Sequence, residues 1–135
     1  MLTLNLTVSI VRIEPGWDNL GMPQNTIDPH IQVATSAFKE KLALHFDVNQ
    51  TFLFGSLARQ SGHAESDADV AVVLNGSTGK FIDTKFAMDD LAYEVLLDTG
   101  IRIQPLPIWL NEWENPTSFP NPSLLYNIQR EGLAI

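Results

Sequence analysis

"FLFGSLARQSGHAESDADVAVVL", Phe52 to Leu74, sets a glycine, a serine and two aspartates between two apolar runs. Both runs have strand character. Gln50 to Phe54 is short and apolar, and Asp69 to Leu74 is valine-rich and closes on Asn75-Gly76. Alternate side chains of a strand share a face, so Asp67 and Asp69 should point the same way, with α-carbons about 6.5–7 Å apart. Two carboxylates that near repel unless a cation lies between them. Such oxygen donors suit magnesium, which takes one or two carboxylates together with substrate phosphates. Val70, Val72 and Leu74 fall on the opposite face and should anchor the strand in the core. Gly55, directly after the first run, lets a ligand approach the backbone closely. Ser56 heads a helical turn expected over Leu57 to Gln60, ended by Ser61-Gly62, and offers an anion a hydroxyl and an N–H. The pattern is a phosphate cradle facing a metal clamp. It suits a nucleoside triphosphate whose α-phosphate is attacked by a hydroxyl.

Outward from this stretch, strands and helices interleave. Leu2, Leu4, Leu6, Val8 and Ile10 alternate with polar residues, which predicts a half-buried strand over 2–13, stopped by Pro15-Gly16. Residues 16–26 are loop-like. Asp28-Pro29 is an N-cap with proline in the first turn, and Ile31, Ala34, Phe38, Leu42 and Phe46 follow at helical spacing, so 29–46 should be an amphipathic helix. After the turn at Gly76-Ser77, Met88, Leu91, Ala92, Val95 and Leu96 define a longer helix ended by Gly100. Ile101 to Ile108 reads as a strand that Pro105 and Pro107 confine to an edge or a bulge. A polar, proline-broken stretch begins at Glu112-Trp113, and Asn121-Pro122 opens a last short helix that Gly132 ends. The expected class is α/β (α+β), with a small mixed sheet flanked by helices.

A chain of 135 residues matches one domain, 1–135, with the strand 2–13 as an addition. The absence of cysteine excludes disulfides and thiolate zinc sites and fits a reducing compartment. Eight basic against sixteen acidic residues give a net charge of −8. That surface repels phosphate backbones and argues against nonspecific nucleic-acid binding, while a metal-neutralised phosphate site remains compatible with it. No run is long and apolar enough for a membrane span, and the N-terminus lacks the basic start and apolar block of a signal peptide. The expected location is cytoplasmic.

Singly, Gly-Ser is commonly a loop and Asp-x-Asp a solvated strand end. Together at one fixed spacing they arise by chance in about one chain of this length in several hundred, which favours a site. Gly55-Ser56, ten residues (57–66) and Asp67-Ala68-Asp69 spell G-S-x(10)-D-x-D. In this the chain resembles the DNA polymerase β-like nucleotidyltransferase superfamily. It looks in particular like the minimal nucleotidyltransferases that serve as antitoxins beside HEPN toxins. Arg59 and Ser66 belong to the similarity, as does the tail Glu112-Trp113, Pro116, Leu125, Ile128 and Arg130-Glu131-Gly132. The likeness covers roughly residues 27–135.

The resemblance implies that Asp67 and Asp69 are catalytic and hold one or two Mg2+ ions. It implies that Gly55, Ser56, Arg59 and Ser66 bind the nucleotide, with Gly55 and Ser56 on the β- and γ-phosphates of ATP. AMP would pass to an acceptor hydroxyl with release of pyrophosphate, two metals stabilising the attacking and leaving oxygens. Family members usually carry a third acid on the next strand; here that position falls at or near Gln104, with Arg102 two residues away. Glu94 and Asp98 are candidate substitutes. His63, in the motif loop, could touch a nucleotide or be merely exposed. Trp17, Trp109 and Trp113 could stack a base, although Trp113 is expected to pack the tail onto the sheet. Asp89-Asp90, beside Lys85, reads as a solvated helix face. The leading expectation is an antitoxin that adenylylates a basic, HEPN-type RNase toxin, since a domain this small must receive its acceptor from another macromolecule. The rivals are an inactive module that neutralises the same partner by binding, and a small-molecule (antibiotic) nucleotidyltransferase.

Overall fold

Asp28 caps the first helix as its place before Pro29 predicts: its Oδ1 accepts the backbone N–H of His30 at 2.7 Å. The computed structural model that shows this describes residues 27–59 and 67–135, so the strand expected over 2–13 lies outside the described residues. Helix α1 (Pro29–His45) buries Ile31, Ala34, Phe38 and Leu42. Strand β1 (Val48–Phe54) starts two residues before the apolar run that announced it. Strand β2 (Ala68–Leu74) leads through the bend at Gly76 to helix α2 (Phe81–Thr99), capped by Gly100, whose N–H reaches the Leu96 carbonyl at 2.8 Å. Strand β3 (Ile103–Trp109) follows. Then come helix α3 (Leu110–Glu114), a 3-10 turn (Pro116–Ser118), helix α4 (Pro122–Glu131) and a two-residue strand β4 (Leu133–Ala134).

The four strands form one mixed sheet in the order β3-β2-β1-β4. β1 runs antiparallel to β2 and to β4, and β2 runs parallel to β3, joined by the crossover helix α2. β3 is an edge strand, as its two prolines require. Its pairing with β2 runs unbroken from Ile103 to Trp109, so the N–H groups that Pro105 and Pro107 lack are those facing away from the ladder.

Both faces of the sheet are covered. On one, Val70, Val72 and Leu74 of β2 pack with Phe38 and Leu42 of α1 and Met88 and Val95 of α2. On the other, Ala71 and Val73 pack with Ile108, Phe119, Leu125 and Ile128 beneath α4. The expected core face of β2 is therefore one of two, which is why DVAVVL has no polar alternation after Asp69. Phe38, Leu42, Leu53, Val70, Val72, Met88 and Val95 have no exposed surface. Each contributes roughly 1.5–3 kcal/mol of burial. This fixes the ends of β1 and β2 on a rigid frame. Among the described residues no helix is long and apolar enough to cross a membrane.

Candidate functional site

The antiparallel register sets Phe54 opposite Asp69. Where β1 ends and β2 begins, the Gly55 bend and the acids therefore meet at one end of the sheet. Gly55 has φ 77°, and a Cβ there would collide with Oδ2 of Asp69. Glycine is thus required twice at this position, by the left-handed backbone and by the carboxylate lying against it. The Arg59 N–H closes the bend on the Gly55 carbonyl at 3.2 Å. Gly55 to Arg59 is a single hydrogen-bonded turn with Ser56 partly buried in it, and Gln60, the end of the helical turn expected over Leu57–Gln60, lies outside the described residues. Gln60, Ser61, Gly62, His63 and Ser66 lie outside the described residues.

Asp69 is half-buried and Asp67 exposed. Burial first, and then the Asp67 charge, push the Asp69 carboxyl above its usual range, while the Arg59 guanidinium works the other way. In the parallel ladder Asp69 pairs with Gln104. The position expected of a third acid is thus beside the pair and is held by an amide. Gln104 Nε2 donates to Asp67 Oδ2 at 3.2 Å, and Arg102 Nε stands 3.9 Å from Asp67 Oδ1. These two partners of Asp67 went unread in the sequence, because they depend on the β2–β3 register. Neither proposed substitute joins the pair. Glu94 accepts from Lys41 Nζ of α1 at 2.9 Å, and Asp98 acts on the same lysine. Both lie on helix α2 and act on Lys41 of the neighbouring helix.

From α4, Glu131 Oε1 reaches Arg59 Nη1 at 3.8 Å, which ties the C-terminal tail to the bend. Trp113 stacks on Phe52 of β1 at 5.1 Å and 25°, so it packs the tail onto the sheet as expected. Trp109 is buried, and Trp17 lies outside the described residues. Buried Glu112, expected in a polar stretch, instead accepts the Trp109 N–H at 3.0 Å and opens α3. A glutamate three residues after a helix start is the signal that could have revealed it. Asp89 pairs with Lys85 at 2.6 Å. Beside β3, a groove of about 300 Å³ is lined by Asp89, Tyr93, Leu96, Arg102 and Gln104. Two of those residues also touch Asp67, so the groove adjoins the acids.

Among the described residues no three His, Cys, Asp or Glu side chains cluster as a metal centre. The donor set is two carboxylates, one of them destabilised in its charged form by burial and by the other. That set fits a magnesium ion completing its shell with water and phosphate oxygens. The Gly55 bend leaves backbone, not side chain, beside them.

The family described as "Polymerase beta, Nucleotidyltransferase" matches residues 37–106, more than half of the chain. The chain belongs to the polymerase beta nucleotidyltransferase family. The match runs from α1 through β3 and includes Gly55, Ser56, Asp67, Asp69 and Gln104. A crystal structure described as a "putative nucleotidyltransferase from Sulfolobus solfataricus" is similar at 20% identity over 65% of this chain and 80% of that one, with a TM-score of 0.43. No curated protein matches the chain.

Proposed function

We propose that this nucleotidyltransferase-family domain transfers AMP from ATP to a hydroxyl of a partner protein, as the antitoxin of a HEPN-type RNase toxin. The observation that carries the reading is Asp69 lying against Gly55, with Asp67 beside it: two acids of one strand end facing a bend that only glycine can make. In this reading Gly55 and Ser56 receive the β- and γ-phosphates, and Arg59 and Ser66 hold the nucleotide. Asp67 and Asp69 would hold Mg2+, which when bound neutralises phosphate oxygens. The acceptor oxygen forms a bond to the α-phosphorus as the bond to the bridging oxygen breaks, and pyrophosphate leaves. Gln104 cannot take the acceptor proton, which passes to solvent.

A protein acceptor is supported by the outer face of α2. Ile82, Phe86, Tyr93 and Leu97 recur at steps of four and seven, and each is 56–66% exposed. They make an apolar stripe opposite the buried one, and by helical spacing Asp83, Asp90, Glu94 and Asp98 run along one edge of it, Glu94 paired with Lys41. An apolar, acid-edged helix suits a partner surface that is apolar and basic. Tyr93 also lines the groove that adjoins Asp67.

A second reading is favoured by Gln104 and Arg102: a domain that has kept the nucleotide site but neutralises its partner by binding alone. Incubation with [α-32P]ATP, Mg2+ and the product of the neighbouring gene decides between them. Label on the partner supports transfer. Mg-ATP binding without label supports the second reading, and absence of both would reject the nucleotide site.

A further inference from the structure

The acids do not face an empty electrostatic field. Arg102 stands against Asp67, and Arg59 acts on Asp69. Glu131, which reaches Arg59, is itself paired with Arg130 at 3.4 Å. Asp67, Asp69 and Glu131 against Arg59, Arg102 and Arg130 leave no net charge, where an acid at 104 and a neutral residue at 102 would leave two negative charges. On β3, at the register place beside Asp69, Gln104 turns an N–H rather than an oxygen toward Asp67. A bare divalent ion therefore finds little attraction here, while a cation already bound to a triphosphate carries net negative charge to the guanidiniums.

We propose that Arg102 and Gln104 together replace a metal-binding third acid, so that the protein accepts its divalent cation only in complex with the triphosphate, one ion per site. This rests on the reading of Asp67 and Asp69 as the acid pair of a nucleotide site. Both replacing residues are exposed, so their substitution leaves the core untouched.

Mn2+ serves as the probe, its free form read by electron paramagnetic resonance. The wild-type protein alone should take up no ion below about 1 mM. The Arg102→Gln, Gln104→Glu variant changes two unit charges beside Asp67, each worth about tenfold in partly solvated surroundings, and should bind Mn2+ roughly a hundredfold more tightly. Equilibrium dialysis of the wild type with a non-hydrolysable ATP analogue should give one Mn2+ and one nucleotide per chain. Two ions per chain, tight Mn2+ binding by the wild type alone, or a folded variant that binds no tighter would overturn the inference. If the wild type binds neither metal nor nucleotide under any of these conditions, the acid pair is no nucleotide site and the proposed function falls with it.

Discussion

At the scale of single residues, Gly55 and Asp69 form one unit. An alanine at 55 would have to adopt φ 77° and to displace the Asp69 carboxylate. The backbone strain costs on the order of 1–3 kcal/mol. The collision can be relieved by rotating the acid, so the larger loss should be functional: Gly55→Ala should melt several degrees lower and lose most of its Mg-ATP affinity, as read by thermal denaturation and calorimetry. Asp69 carries a second expectation. Its carboxyl titrates above the ordinary aspartate value of 3.8, so the folded state holds this proton more firmly than the unfolded chain does. Stability from that proton is complete below the unfolded value and is lost as pH rises through the folded one. Asp69→Asn should therefore stabilise the protein at neutral pH, by no more than about 1 kcal/mol given half-exposure and screening. The gain should vanish below the ordinary value. Denaturant unfolding across pH 3–8 tests this, and an equal gain at every pH would exclude it. These residues were legible because G-S-x(10)-D-x-D spans a single hairpin. The Asp67 partners were not, because Arg102 and Gln104 approach only through a parallel crossover.

At the scale of elements, helices α1, α2 and α4 and the three long strands were legible from period, caps and glycine stops, each a local signal. β4 and α3 were not. β4 has two residues and exists by pairing: Leu133 lies beside Leu53, the Ile135 N–H bonds the Thr51 carbonyl at 3.1 Å, and Thr51 Oγ1 donates to the Ile135 carbonyl at 2.8 Å. Reaching it requires a tight exit from α4. A Cβ on Gly132 would stand 2.6 Å from the Ile128 carbonyl oxygen, a backbone atom that cannot rotate away. Gly132→Ala should cost about 1–3 kcal/mol. It should also speed hydrogen exchange at the Ile135 amide more than at β2 amides. Uniform protection in the variant would show that β4 does not depend on this turn.

At the scale of the whole molecule, the buried layers hold the strand ends rigid while α2 shows an apolar stripe to solvent. Because Phe86 and Leu97 are 63% and 66% exposed, Phe86→Ser with Leu97→Ser should change stability by no more than about 0.5 kcal/mol per site. Affinity for the acceptor protein should nonetheless fall about tenfold or more, as expected for aromatic and aliphatic anchors at an interface centre. A melting curve and a pull-down titration on the same variant separate the two effects. The stripe could not be read in sequence, because α2 is apolar on two sides and its period points to both. If the acids of β2 and the bend after β1 receive a metal-bound triphosphate, calorimetric titration with Mg2+ and a non-hydrolysable ATP analogue should show saturable one-to-one binding in the wild type. In the Asp67→Asn, Asp69→Asn double variant, still melting as a folded protein, that binding should disappear; equal affinity in the two proteins would mean that these acids hold no metal-bound nucleotide.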